Sequence, residues 1–316
     1  MTTIILFWIL ILTVFMAMST SSLFSLWICM EINMMMFMPM MNSKNILSSN
    51  SMILYFIIQS LASSIFILSF LINFLMMVNY ITMMLITSAI LIKLGAAPFH
   101  IWFPQVSEGL KFMPFSFLIL NQKLIPLYIL SFLNNSVMVM SIIFSSLIGS
   151  FGGWNQNSIR KIIAFSTIAH LSWMISIILC YNNWWTMYFF MYSFIIITLI
   201  FFLFKTEMSY INQTNFFLDF SKKISLITIL MSLGGMPPFL GFLMKWMSIK
   251  IISMSNPIFL FFLIPSSLLN LFFYSRIMYP YFFKKMEINK MAQKMKKSGT
   301  MTAMNFLLMF LMIPMI

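Results

Sequence analysis

Charge is what this chain has least of. Only 7% of its 316 residues are Asp, Glu, Lys or Arg, against about 25% in an ordinary soluble domain, and 62% are hydrophobic. Water cannot hold such a chain in solution, which leaves a helical membrane protein as the broad class. Arginine occurs twice and the acids five times, so the net charge of +13 rests on lysine. In a soluble protein that excess would point to nucleic acid. Here the charges fall in short gaps between long apolar runs, and nucleic acid is not expected as a partner. Cysteine is scarce as well: Cys29 and Cys180 lie in separate apolar runs, without metal-site or iron–sulfur spacing, and read as buried thiols. There is no Gly-x-Gly-x-x-Gly dinucleotide pattern, and the two histidines, His100 and His170, lie at different depths. The first apolar run has no basic segment before it and no small-residue cleavage site after it, so neither a secretory signal nor an Arg-rich transit peptide is expected.

What the chain has in abundance is Phe (37) and Met (36). Together with frequent Ile, Asn and Lys this is the bias of a very AT-rich gene, as in many animal mitochondria where ATA is read as Met. The alternative is that Met serves as a flexible apolar filler.

A bilayer is spanned by about 20 apolar residues in a helix, because hydrocarbon offers no partner to backbone polar groups. Eleven such stretches are expected, over roughly 3–18, 22–41, 52–75, 81–97, 114–134, 136–153, 158–180, 184–205, 224–250, 257–278 and 301–316. The expected fold is therefore all-α and polytopic. The ninth stretch holds Gly234, Gly235, Pro237 and Pro238 and reads as broken or as two half-spans. Eleven crossings put fourteen basic residues on the side of the N-terminus, Lys44, Lys111, Arg160, Lys161, Lys205 and Arg276 among them, and only Lys250 on the other. By the positive-inside rule, the N-terminus then faces the compartment of synthesis. The polar stretch Tyr279–Thr300 carries Ile288, Met291, Ala292 and Met295 at helical spacing among lysines, which fits an amphipathic surface helix or a solvated loop.

Four ionisable residues remain inside the runs: Glu31, Lys93, Lys123 and Lys245. A central charge costs about 2.5–3.5 kcal/mol, so together they cost on the order of 10–14 kcal/mol, comparable to the stability of a whole domain. Lys93 and Lys245 can snorkel toward an interface, Lys123 less easily, and Glu31 lies near the midplane, where a purely structural ion pair is the competing reading. All three lysines stand close to helix breakers: Gly95 and Pro98, Pro126, and the run from Gly234 to Gly241. Breakers in a membrane are tolerated around cavities or polar pathways. Leu94-Gly95-Ala96-Ala97-Pro98-Phe99 is also echoed, with one inserted residue, by Leu233-Gly234-Gly235-Met236-Pro237-Pro238-Phe239. The echo lies five spans away, so the copies run in opposite directions, as in inverted five-helix repeats over 1–134 and 136–278, followed by the basic segment 279–300 and a last helix 301–316.

Five motifs stand in order along the chain: Met30-Glu31-Ile32-Asn33-Met34, Lys93 to Trp102, Gln122-Lys123-Leu124-Ile125-Pro126, Arg160 to His170, and Gly234 to Phe242 with Lys245-Trp246. Together they resemble the chain 2 family of NADH–ubiquinone oxidoreductase, the smallest antiporter-like subunits of mitochondrial complex I. Animal members look like a fourteen-helix fold without its first three helices, which agrees with eleven stretches. The resemblance implies a Glu31–Lys93 ion pair, continued by Lys123 and Lys245 as a hydrated row of protonatable groups, with His170 at its border. Ser172 departs from the glycine usual in the family. The resemblance further implies a multi-pass protein of the mitochondrial inner membrane with its N-terminus on the matrix side. Its partners would be other membrane-arm subunits and phospholipid. It would bind no NADH and hold no cofactor; NADH, FMN, iron–sulfur clusters and ubiquinone would belong to other subunits.

An amine denied water holds its proton less tightly, and a facing carboxylate opposes that loss. Moving Glu31 toward or away from Lys93 would then toggle the lysine, and repulsion would pass the change to Lys123 and Lys245. Carrying one charge against 100 mV costs about 2.3 kcal/mol. A two-unit change in proton affinity supplies about 2.7 kcal/mol. A stand-alone cation/proton antiporter and a purely structural membrane subunit are the alternatives.

Overall fold

The computed structural model describes residues 2–43, 45–76, 79–211 and 220–283. Its helices are α1 (Thr2–Ser19), α2 (Leu23–Met41), α3 (Ile46–Met76), α4 (Asn79–Leu94), α5 (Trp102–Gly109), α6 (Phe112–Ile119), α7 (Asn121–Leu130), α8 (Ser136–Trp154), α9 (Ile159–Leu179), α10 (Trp184–Thr206), α11 (Phe220–Gly234), α12 (Leu240–Ser255) and α13 (Ile258–Phe283). Seven apolar segments among the described residues are long enough to cross a membrane: α2, α3, the α6–α7 pair, α8, α9, α10 and α13. The first and fourth expected stretches are shorter apolar helices, and the ninth is broken into α11 and α12. The basic segment 279–300 lies almost wholly outside the described residues, as do the helix expected over 301–316 and Lys44.

Two features differ from the sequence reading. Residues 98–113 were expected to be a connection, yet they contain the half-helix α5. Its Pro104, Gln105, Ser107 and Glu108 hide it from a hydropathy reading, although Trp102, Phe103 and Val106 are buried against neighbouring helices. The stretch 114–134 is not one smooth helix but α6 and α7, which meet at Leu120.

Helix α9 is the axis of the bundle. It is buried on nearly all sides, its Ser166, Thr167, His170, Ser172 and Ser176 included, and packs against α5, α7, α8, α10, α12 and α13. On α8, Ser141, Ser145, Ser146 and Ser150 are buried with their hydroxyls donating to carbonyls one turn back. With their polar atoms satisfied, these small side chains let α8 lie close along α9, as small residues do between membrane helices. The two ends of α9 hold the two half-helices. At its start, Lys161 pairs with Glu108 of α5 at 2.6 Å and Arg160 donates to the Leu110 carbonyl. At its end, the Ser255 hydroxyl of α12 donates to the Cys180 thiol sulfur at 2.7 Å. The outer surface is apolar, with Phe74, Met254 and Phe261 exposed. An apolar exterior around a polar-threaded interior is the arrangement a lipid surround favours.

Candidate functional site

The site is built on two interruptions with the same backbone. At the end of α4, Gly95 takes a left-handed φ of 68°, its N–H donates to the Ile92 carbonyl and the Ala96 N–H to that of Leu91. At the end of α11, Gly235 takes φ 80°, its N–H donates to Ser232 and the Met236 N–H to Met231. Both are Schellman caps, which require a residue able to adopt positive φ and so favour glycine. The cap fixes the register of the echo: Gly95 corresponds to Gly235 and Pro98 to Pro238, with no inserted residue. The expected insertion came from matching Gly95 to Gly234, which is the last helical residue and not the cap. Ala97–Pro98 and Pro237–Pro238 are both cis.

Beside the first interruption, the Lys93 ammonium donates to Glu31 Oε1 at 3.4 Å, so the pair implied by the resemblance is present. Lys93 is 7% exposed. Gln59 of α3 donates to the Lys93 carbonyl at 3.4 Å and the Trp102 indole to the Ile92 carbonyl at 3.0 Å, which satisfies the broken end of α4 with neutral groups. Next to Lys93 lies a small polar cavity lined by Asn33, Tyr55, Gln59, Gln122 and Pro126, with room for about one water. Gln122 donates to Asn33 Oδ1 at 3.2 Å and accepts from the Tyr55 hydroxyl at 3.2 Å.

Gln122 leads directly to Lys123 on α7. The Lys123 ammonium is buried without a hydrogen-bond partner and lies 4.5 Å from the centre of the Phe103 ring. A cation over an aromatic face is stabilised by the ring quadrupole, and Phe103 also packs on Gly95, so α5 ties the interruption to Lys123. Lys245, on α12, reaches back and donates to the Gly234 carbonyl at 2.6 Å. His170, in the middle of α9, is 1% exposed. Its Nδ1 is 2.8 Å from the Tyr188 hydroxyl and its Nε2 has no partner. Of the five expected site residues, Lys93, Lys123, His170 and Lys245 are buried in the bundle, and Glu31 is brought to Lys93.

Several members of the site carried no signal in the sequence. Tyr55, Gln59 and Tyr188 read as ordinary helical residues, and Asn33 was visible only as part of a motif. A run of neutral polar residues facing one side of α2, α3 and α7 was the signal available, but its meaning depends on which helices meet.

The transmembrane family model described as NADH:quinone oxidoreductase/Mrp antiporter matches residues 20–270, a range that contains all five motifs. A curated relative from Anopheles gambiae, NADH-ubiquinone oxidoreductase chain 2, is 38% identical over 309 residues, covering 93% of this chain and 90% of the relative. The chain belongs to the NADH–ubiquinone oxidoreductase chain 2 family. A second chain 2 relative, from Rhipicephalus sanguineus, is 39% identical and covers 97% of this chain and 98% of its own length. Among solved structures, a chain of respiratory complex I from Thermus thermophilus with bound aureothin superimposes with a TM-score of 0.83 at 16% identity, over 95% of this chain and 75% of that one. At that identity the likeness concerns the fold, and it places this chain 2 family member in the antiporter-like architecture.

Proposed function

We propose that the chain is a membrane-arm subunit of respiratory NADH:ubiquinone oxidoreductase in the mitochondrial inner membrane, with its N-terminus in the matrix and phospholipid around its outer face. Electron transfer takes place in other subunits, where NADH, FMN, iron–sulfur clusters and ubiquinone are held. This subunit couples to it by moving protons along the row Glu31, Lys93, Lys123, His170 and Lys245. The observation that carries this reading is the burial of three amines and a histidine inside the bundle, two of the amines beside the helix interruptions and one of those facing an acid.

A change at Glu31 alters the charge that Lys93 faces. The cavity beside Lys93 passes the disturbance through Gln122 and Tyr55 toward Lys123. Lys123 has no counter-ion among the described residues, so its charge responds to whatever sits next to it. His170 connects that response to Lys245. The test is the assembled complex carrying Lys123→Ala, reconstituted in liposomes. Protons moved per NADH oxidised should fall while NADH oxidation continues with an uncoupler present. Unchanged coupling in that variant would overturn the row.

A further inference from the structure

The three buried amines are held by three different chemistries. The Lys93 ammonium faces the Glu31 carboxylate at 3.4 Å, and the Lys245 ammonium faces the Gly234 carbonyl at 2.6 Å. Lys123 has neither: among the described residues no protein group accepts a hydrogen bond from its ammonium and no acid pairs with it. What it meets is the face of Phe103, whose ring centre lies 4.5 Å from Nζ. Lysine and ring are both buried, so the contact is shielded from bulk solvent. The ring is in turn fixed to the end of α4. Trp102 stands edge-on to it at 5.5 Å and is itself held by the Ile92 carbonyl. At Gly95, a Cβ would crowd the Phe103 Cβ at 3.0 Å, so the cap glycine also leaves this side chain its seat.

We propose that Phe103 is a positioning residue for Lys123: its ring face stands in for a counter-ion and favours the protonated amine where no acid does. A desolvated cation over an aromatic face is favoured by about two- to thirtyfold. A carboxylate at the same place would attract the ammonium far more strongly in a low-dielectric interior, and it could also take the proton for itself. The hydrocarbon ring has no lone pair to receive a proton. Lys123 is therefore biased toward its charged form without being locked in it, and the group that holds it does not compete for what it releases. Because α5 carries the ring and α7 the lysine, the strength of the contact depends on how α5 is seated at the end of α4.

The proposal rests on the row assigned above, and the experiment separates the two. In the assembled complex, Phe103 is exchanged for phenylalanines carrying one, two or three ring fluorines, which nearly keep the shape of the ring and weaken the negative potential of its face step by step. Protons moved per NADH in liposomes should fall with each fluorine, toward a total of about two- to thirtyfold. Thermal inactivation should come earlier along the same series. In Lys123→Met, which keeps the length of the side chain and removes the charge, the fluorines should leave thermal inactivation where it was. Unchanged coupling across the series overturns the proposal, and so does a fluorine effect on thermal inactivation that is as large in Lys123→Met as in the native complex. Phe103→Leu keeps an apolar side chain without a ring face and should couple no better than the trifluorinated complex; native coupling in that variant also overturns the proposal. A flat fluorine series together with lost coupling in Lys123→Ala leaves the row standing and removes only the role of Phe103.

Discussion

The two interruptions share a backbone and differ in what closes them. After α4, neutral donors from Gln59 and Trp102 satisfy the carbonyls of Lys93 and Ile92, which leaves the Lys93 ammonium free to answer to Glu31. After α11, the ammonium of Lys245 itself satisfies the Gly234 carbonyl. Four carbonyls at any helix end lack intrahelical partners and carry the negative end of the helix dipole, so a lysine there is stabilised without an acid. One interruption therefore holds its lysine as half of an ion pair, while the other holds it as a cap. The first ammonium answers to a side-chain charge and the second to a backbone carbonyl.

The second interruption is also more tightly built. Helix α12 restarts at Leu240, whereas α5 restarts at Trp102, two residues later in the shared register. Gly241 is thereby pressed under the end of α11: a Cβ there would lie 1.6 Å from the Ser232 carbonyl oxygen. Its counterpart Ile101 is 65% exposed. Gly241→Ala should be the most damaging change to either interruption, costing more than about 3 kcal/mol by overpacking against backbone and leaving little assembled complex on native gels. Ile101→Ala should assemble normally. Normal assembly of Gly241→Ala would remove the claimed difference in tightness.

Lys245 separates the cap from the charge. Lys245→Ala removes both, so coupling should be lost and thermal stability should fall by about 1–3 kcal/mol, the cost of leaving the buried Gly234 carbonyl without its donor. Lys245→Gln can still donate to that carbonyl but cannot release a proton. It should match the native stability and the Ala variant's coupling. If the Gln variant pumps normally, the ammonium is only a cap. At the other interruption, Glu31→Gln removes the charge that Lys93 faces and keeps a neutral acceptor, so protons moved per NADH should fall while NADH oxidation continues with an uncoupler present. It should leave the stability of the α4 end unaltered, because Gln59 and Trp102 satisfy those carbonyls.

The contrast also shows what the sequence could and could not disclose. Long apolar runs and the positions of Lys93, Lys123, Lys245 and Glu31 are local facts, and a charge in hydrocarbon is costly enough to announce itself. Whether a lysine pairs with an acid or with a carbonyl is a tertiary fact: Glu31 is 62 residues from Lys93, and Gln122 is 89 from its acceptor Asn33. The half-helix α5 was hidden for another reason. Its polar residues read as a connection, yet its buried face carries Phe103, the ring that stabilises Lys123.

The smallest expected effect concerns the far end of α5. There the Lys161–Glu108 pair at 2.6 Å ties the half-helix to α9, but Glu108 is 38% exposed and Lys161 28%. Pairs this open to solvent contribute about 0.2–1 kcal/mol. Arg160 donates to the Leu110 carbonyl at the same place, so one tie persists when the other is cut. Lys161→Gln should therefore shift thermal inactivation of the complex by no more than about 1 kcal/mol, with coupling retained. The far end of α12 is held by a Ser255 hydroxyl donating to a thiol, and Ser255→Ala should be equally mild. A large loss of coupling in Lys161→Gln alone would mean that α5 moves during turnover and that its ion pair is a gate. The first interruption would then have a mobile half-helix and the second a fixed one, a sharper asymmetry than their closing contacts alone imply.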